Sequence, residues 1–335
     1  MSLSDLKLAE LHVHLGGAVD PAILWSMAHD QGIKLPMKDY WDFAQMITAS
    51  KDKTKSLEDY LSILHRWTET IQSSPYAVER SVYEMIGGAY RRNNITLLEI
   101  RFNPMKRNRN GEQDLDHIIM AALRGMDRAL LEYPHVRCGL VFCLDRGFTF
   151  HQNCVLGNKA IKYRNRGVVG LDFANSQHKG FKFSDYKDEV KKWKKAGLKL
   201  TVHTGETDET NDIESAIEIL KPARIGHGIK AAFNKNVMQL IKKENIVLEI
   251  CPTSNIATNA VKDIKELKFI LDTFKEEKIN FCINTDGPEV FQTNLLKEIE
   301  FLLTNKILTK DDVIKANNTA FEASFIPKGL DNSYL

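Results

Sequence analysis

The sequence predicts a closed (β/α)8 barrel, on two observations. Eight short apolar runs recur along the 335 residues, and amphipathic helical patterns separate them. Most of the runs are apolar at nearly every position, the pattern of parallel strands buried on both faces. No Ser-, Gly- or Pro-rich tract or short-period repeat divides the chain, so residues 1–335 read as one domain.

The first run is KLAELHVHL (7–15), which ends in His12 and His14 and runs into Gly16 and Gly17. The connection that follows, from about 16 to 94, is too long for one crossover. It holds several helical patterns and reads as an elaboration folded over the barrel mouth. ITLLEIRF (95–102), RCGLVFCL (137–144) and VVGLDFA (168–174) are the second to fourth strands. The segment FKFSDYKDEVKKWKKAG (181–197) reads as a helix closing on Gly197. LKLTVHTG (198–205) is the fifth strand, followed by a helix, IESAIEIL (213–220), apolar at Ile213, Ala216, Ile217 and Leu220. ARIGHG (223–228), NIVLEICP (245–252) and INFCINTD (279–286) complete the set.

Composition excludes several classes of function. With 43% hydrophobic and 27% charged residues the profile is that of an ordinary soluble protein. A net charge of +2 makes no case for nucleic acid or an anionic membrane as partner. No apolar run approaches a membrane span, and MSLSDLKLAE at the start lacks an apolar signal core. The five cysteines (Cys138, Cys143, Cys154, Cys251, Cys282) are odd in number, four lie in strand-like runs, and none forms a C-x-x-C pair. Reduced thiols in a cytoplasmic protein are the expectation.

The polar residues that interrupt the runs fall at their ends. His12 and His14 end the first strand, His203 the fifth, His227 the sixth and Asp286 the eighth. In a parallel barrel the chemistry sits at the C-terminal rim. Residues i and i+2 of a strand face the same side, so His12 and His14 can share one cation. Three imidazoles with one carboxylate, His12, His14, His203 and Asp286, suit zinc with a position left for water. Glu206, one turn beyond His203, can serve as a general acid if burial keeps it protonated; a helix N-terminal glutamate is the plain alternative. His227, between Gly226 and Gly228, is read as a fifth ligand or a base. The other six histidines (His29, His65, His117, His135, His151, His178) are taken as structural. Two-metal barrels of this type usually bridge the ions with a carboxylated lysine or a glutamate at the end of the fourth strand. Here that strand ends Asp172-Phe173-Ala174-Asn175, so one zinc per subunit is expected.

Together these motifs resemble the adenosine deaminase family of the metal-dependent amidohydrolases. H-x-H-L-x-G-A, E-x-R-x-x-P (Glu99 to Pro104), H-x-G-E, G-H-G, E-x-C-P-x-S-N (249–255) and N-T-D-x-P (284–288) occur in the family's order. The resemblance implies that His12, His14, His203 and Asp286 bind a catalytic zinc. It implies that His227 orients the attacking water and takes its proton, with Asp286 assisting. Glu206 would protonate purine N1 as C6 becomes tetrahedral and ammonia leaves. The implied reaction is hydrolytic deamination of a small-molecule 6-aminopurine nucleoside or derivative.

Three positions depart from the family pattern, all where the family touches substrate. Gly16 stands where an Asp or Glu accepts from the ribose 5′-hydroxyl. Gly287 replaces an Asp that contacts N7, with Glu289 or Asn255 the nearest substitutes. Asn175 replaces a glycine whose N–H meets N3. Gly16 is thus expected to leave room for a 5′-substituent, making a 5′-substituted adenosine the expected substrate. AMP, adenine and 6-amino-6-deoxyfutalosine are the alternatives. The loop MKRNRNGE (105–112), with Lys106, Arg107 and Arg109, could meet an anionic 5′-group or be a solvated basic loop. SLEDYLSILHRW (56–67), apolar at Leu57, Tyr60, Leu61 and Leu64, is either a gate over the pocket, as in relatives, or a core helix. The rival functions are hydrolysis of an amide, lactone or ester, and an inactive nucleoside-binding barrel. The oligomeric state is left open.

Overall fold

Eight parallel strands pair in sequence order: β1 (Leu8–His14), β2 (Ile95–Phe102), β3 (Arg137–Asp145), β4 (Val168–Ala174), β5 (Lys199–Thr204), β6 (Arg224–His227), β7 (Val247–Ile250) and β8 (Phe281–Ile283). This computed structural model describes residues 6–49, 56–108, 114–176, 178–207 and 210–328. The predicted strands are all present, with β7 and β8 shorter than their apolar runs. Pro252 has no N–H for a ladder and instead opens the helix Pro252–Ala257.

Beyond Ile283 a side chain takes over the pairing. Asn284 Oδ1 accepts from the N–H groups of Leu11 (2.9 Å) and His12 (3.1 Å), standing in for a backbone carbonyl. The sheet then closes through an isolated bridge between Val13 and Asp286. His14 N donates to Asp286 O at 2.7 Å and Asp286 N donates to His12 O at 3.0 Å. The seam of the barrel therefore sets Asp286 beside both histidines.

The long first connection divides into two parts. Helices α1 (Pro21–Asp30), α2 (Tyr40–Met46) and α3 (Leu57–Ile63) form the elaboration, and α3 runs into a π-helical turn, Leu64–Thr68. The crossover proper is the helix Pro75–Asn93, whose first turn is capped by the Ser74 side chain on Ala77 N. The 181–197 segment is a 3₁₀ turn (Phe183–Tyr186) and a helix (Lys187–Lys195), ending before Gly197 at φ 94°. The 213–220 helix extends over Thr210–Leu220 and buries the four apolar residues expected to face inward.

Inside the barrel, its N-terminal end is filled by Ala9, Leu11, Leu97, Val141 and Val169 together with Phe325 and Ile326 from the C-terminal segment. All five cysteines are free and four are buried. Among the described residues, no helix is long and apolar enough to cross a membrane.

Candidate active site

The histidines at the ends of β1, β5 and β6 converge with Asp286 on the C-terminal rim. His14 Nε2 and His203 Nε2 are 3.1 Å apart, and His14 Nε2 lies 3.6 Å from Asp286 Oδ1. His12 Nε2 is 4.0 Å from the same oxygen, is buried, and has no hydrogen-bond partner. His12, His203 and His227 form one close triad of ligand atoms, and His12, His14 and Asp286 another.

On His12 and His203 the opposite ring nitrogens are already engaged. His12 Nδ1 meets Glu249 Oε2 at 2.8 Å, and His203 Nδ1 meets Asp172 at 2.9 Å. With Nδ1–H held by a carboxylate, the Nε2 lone pair is free to face the rim. Burial, followed by the neighbouring cations and imidazoles, holds the His12 and His14 rings neutral, their pKa well below the usual histidine value. Unprotonated nitrogens this close repel unless a proton or a cation lies between them. The orphaned His12 Nε2, the neutral rings and the adjoining carboxylate therefore fit a metal ion.

The positioning carboxylates belong to a buried network. Arg101 donates to Asp172 Oδ2 and to Glu249 Oε2, both at 2.8 Å. Arg224 donates to Glu249 Oε1 at 2.6 Å and pairs with Glu99. All five side chains are fully buried. Glu99, Arg101 and Glu249 fall in the motifs E-x-R-x-x-P and E-x-C-P-x-S-N, but the sequence assigns none of the five a role; their signal is a charged residue inside an otherwise apolar run.

Glu206 and His227 stand together, with Oε2 and Nε2 3.5 Å apart. Burial raises the Glu206 carboxyl and lowers the His227 imidazole to about 4. Thr258 Oγ1 donates to Glu206 Oε1 at 3.2 Å, Ser254 Oγ donates to Asp286 Oδ2 at 2.7 Å, and the Asn255 amide meets His227 Nδ1 at 2.9 Å. The 252–258 segment thus braces all three groups. His227, Asp286 and Asn175 adopt φ of 61°, 65° and 78°, a left-handed backbone unusual outside glycine. Strain gathered at the ends of three strands is what a functional rim shows. Gly226 leaves the rings close room: a Cβ there would lie 3.0 Å from His12 Cε1.

These residues open onto a cavity of about 830 Å3, counted to its solvent-filled mouth, lined by His14, Asn175, His203, Glu206, His227 and Asp286. Leu57, Tyr60, Leu61 and Leu64 cover it, so the 56–67 segment faces the pocket as a wall. Gly16 lines the cavity, with Arg107 and Glu69 close beside it. A Cβ there would lie 3.3 Å from both Arg107 Nη2 and Glu69 Cγ. Glu69 pairs with Arg107 (3.0 Å) and with His65 (2.7 Å). Burial raises the Glu69 carboxyl, but Arg107, His65 and Lys106 outweigh it and hold it well below the usual carboxylate range. Lys106 in turn pairs with Asp145 at 2.5 Å, and Asn175 Nδ2 also donates to Asp145. His65, taken as structural from the sequence, therefore lines the cavity. Arg109 lies outside the described residues.

Two expected substitutes for the missing N7 contact are placed elsewhere. Glu289 does not line the cavity; its carboxylate pairs with Arg92 at 2.6 Å and its backbone N–H donates to Gly17 O. Asn255 is buried behind His227. Gly287 packs against Gly17 and the Tyr60 hydroxyl.

Fold and site define a (β/α)8 barrel with a cluster of histidines and carboxylates at its C-terminal rim. A sequence profile described as adenosine deaminase matches residues 7–333, and the chain belongs to that family of hydrolytic deaminases. It is 31% identical to an adenosine deaminase of Clostridium kluyveri, over 97% of this chain and 91% of the relative. An adenosine deaminase of Vibrio vulnificus is 30% identical over 98% of each chain. Among solved structures, a zinc-bound amidohydrolase of Burkholderia ambifaria superposes with a TM-score of 0.86 at 18% identity, covering 99% of this chain and 89% of that one. The N6-mAMP deaminase of Arabidopsis gives 0.81 at 23% identity, covering 98% and 96%.

Proposed function

We propose that the protein catalyses zinc-dependent hydrolytic deamination of a 6-aminopurine nucleoside whose 5′ end is uncharged, adenosine or a neutral 5′-substituted adenosine. The observation that carries the reading is the convergence of His12, His14, His203 and Asp286 beside the Glu206–His227 pair. His12, His14, His203 and Asp286 would hold the ion. The chemistry zinc supplies in such a set is Lewis acidity toward water at neutral pH.

The chain's own residues account for the rest. Glu206, its carboxyl raised by burial, holds a proton for the ring nitrogen beside the reacting carbon, so charge does not accumulate on the purine during attack. His227, neutral and braced by Asn255, takes the proton of the attacking water. Asp286, fixed by Ser254, orients that water. A group placed to protonate a ring nitrogen favours deamination over amide, lactone or ester hydrolysis.

Charge decides the reading at the far end of the cavity. Lys106 faces Asp145 and Arg107 faces Glu69, so among the described residues each of these two cations is matched by a carboxylate. A phosphate or carboxylate on the 5′ position would meet a balanced cluster; a hydroxyl can donate to Glu69. The test is ammonia release by zinc-loaded protein with adenosine, 5′-methylthioadenosine, AMP, adenine and 6-amino-6-deoxyfutalosine. The expected result is the highest kcat/KM for a neutral nucleoside and loss of turnover on chelation. A preference for AMP or 6-amino-6-deoxyfutalosine overturns the charge argument, and no ammonia from any of them overturns the reaction.

A further inference from the structure

A purine placed for this chemistry has a second demand beyond the proton at N1. N7, on the other side of the reacting C6, is a bare acceptor, and burying it without a donor costs free energy. Neither Glu289 nor Asn255 reaches the cavity. Tyr60 does. Its side chain lines the pocket and is otherwise buried, and its hydroxyl donates to Asp286 Oδ1 across a long 3.4 Å, a bond it would exchange for one to the substrate.

The placement of that hydroxyl explains a glycine. The backbone at Gly287 has an ordinary φ, so conformation does not demand glycine there. Space does. A Cβ on Gly287 would lie 2.5 Å from the Tyr60 hydroxyl, and the next nearest atoms, Tyr60 Cζ and Gly17 Cα, are 3.4 Å and 3.5 Å away. The hydroxyl thus fills the volume that a side chain at position 287 would occupy. Phe291, its ring centroid 4.6 Å from that of Tyr60, holds the phenol in place, and the Ser56 side chain caps α3 on Asp59 N.

We propose that the Tyr60 hydroxyl, delivered from the elaboration after β1, donates the hydrogen bond that recognises purine N7, and that Gly287 is the space kept for it. This rests on the aminopurine reading and names a specificity residue within it. A phenol is better suited to N7 than a carboxylate, which accepts unless it is protonated.

The experiment compares adenosine with 7-deazaadenosine, in which N7 is a C–H, on zinc-loaded wild type and Tyr60→Phe. Wild type is expected to favour adenosine by roughly ten- to a hundredfold in kcat/KM. Tyr60→Phe is expected to bring that ratio close to one by losing activity on adenosine alone. An unchanged ratio in Tyr60→Phe overturns the assignment. Absence of turnover of either nucleoside by wild type overturns the deaminase reading and the assignment with it. A second measurement needs no turnover. Gly287→Ala should lower Tm in wild type and lower it less in Tyr60→Phe, where the 2.5 Å contact is gone. An equal loss in both backgrounds shows that the hydroxyl does not occupy that space.

Discussion

Glu206 and His227 face each other across 3.5 Å, and burial moves them in opposite senses, the carboxyl up and the imidazole down to about 4. A shared desolvation therefore favours the neutral acid and the neutral base at once, the protonation states that deamination needs. Glu206→Gln keeps the size and the hydrogen-bonding capacity toward Thr258 but has no proton to deliver. We expect kcat to fall by roughly 10²–10⁴-fold, with zinc content and Tm as in the wild type. A variant with wild-type kcat removes Glu206 from the chemistry. These residues were legible in the sequence because each ends a strand or lies just past one, where a parallel barrel places its site. Tyr60 was legible only as part of a segment that is either a gate or a core helix, and Glu69 was not legible as a pocket residue at all. Tyr60 reads as one apolar position of an amphipathic helix, and Glu69 reaches Gly16 only after the π-helical turn at Leu64–Thr68.

At the scale of the elements, strands β2, β4, β6 and β7 each carry a charged residue into the barrel interior. Arg101 is shared between Asp172 and Glu249, the two carboxylates that hold His203 and His12. Burial opposes its charge, but the carboxylates of Glu249 and Asp172 outweigh it and push the guanidinium above its ordinary value, so it is a fixed cation. Arg101→Met leaves two buried carboxylates short of a partner. The expected cost is about 3–5 kcal/mol of stability, read from urea unfolding. The loosened histidines should also weaken zinc affinity roughly 10–100-fold. A methionine variant as stable as wild type, with the same zinc affinity, would mean that the network does not position the ligands. The apolar strands themselves were readable from single runs. Their pairing into this network was not, because Arg101 meets Glu249 across 148 residues and only the closed barrel sets that register.

For the molecule as a whole, the loops above β7 and β8 are tied together from behind by one buried carboxylate. Glu298, fully buried in the helix Leu295–Thr304, accepts from Thr253 N at 3.1 Å and from Thr293 Oγ1 at 2.6 Å. Thr253 belongs to the short helix carrying Ser254 and Asn255, so this tie supports the braces of Asp286 and His227. Burial raises the Glu298 carboxyl from 4.5 to about 7, against the opposing pull of its two threonine partners. The folded protein then binds the proton more tightly than the unfolded chain. The stability this contributes is fully present below the unfolded value and is lost as pH rises through about 7. The difference between the two values corresponds to roughly 3 kcal/mol. Glu298→Gln can accept the Thr253 bond and cannot ionise. Its unfolding free energy should match wild type near pH 4, below the unfolded value, and exceed it at pH 8, with most of the divergence arising between about 4.5 and 7. Glu10, also buried and raised to about 7, remains in the variant, so part of the alkaline decline should persist. Parallel pH–stability curves for the two proteins would show that Glu298 ionises no differently in the folded and unfolded chains.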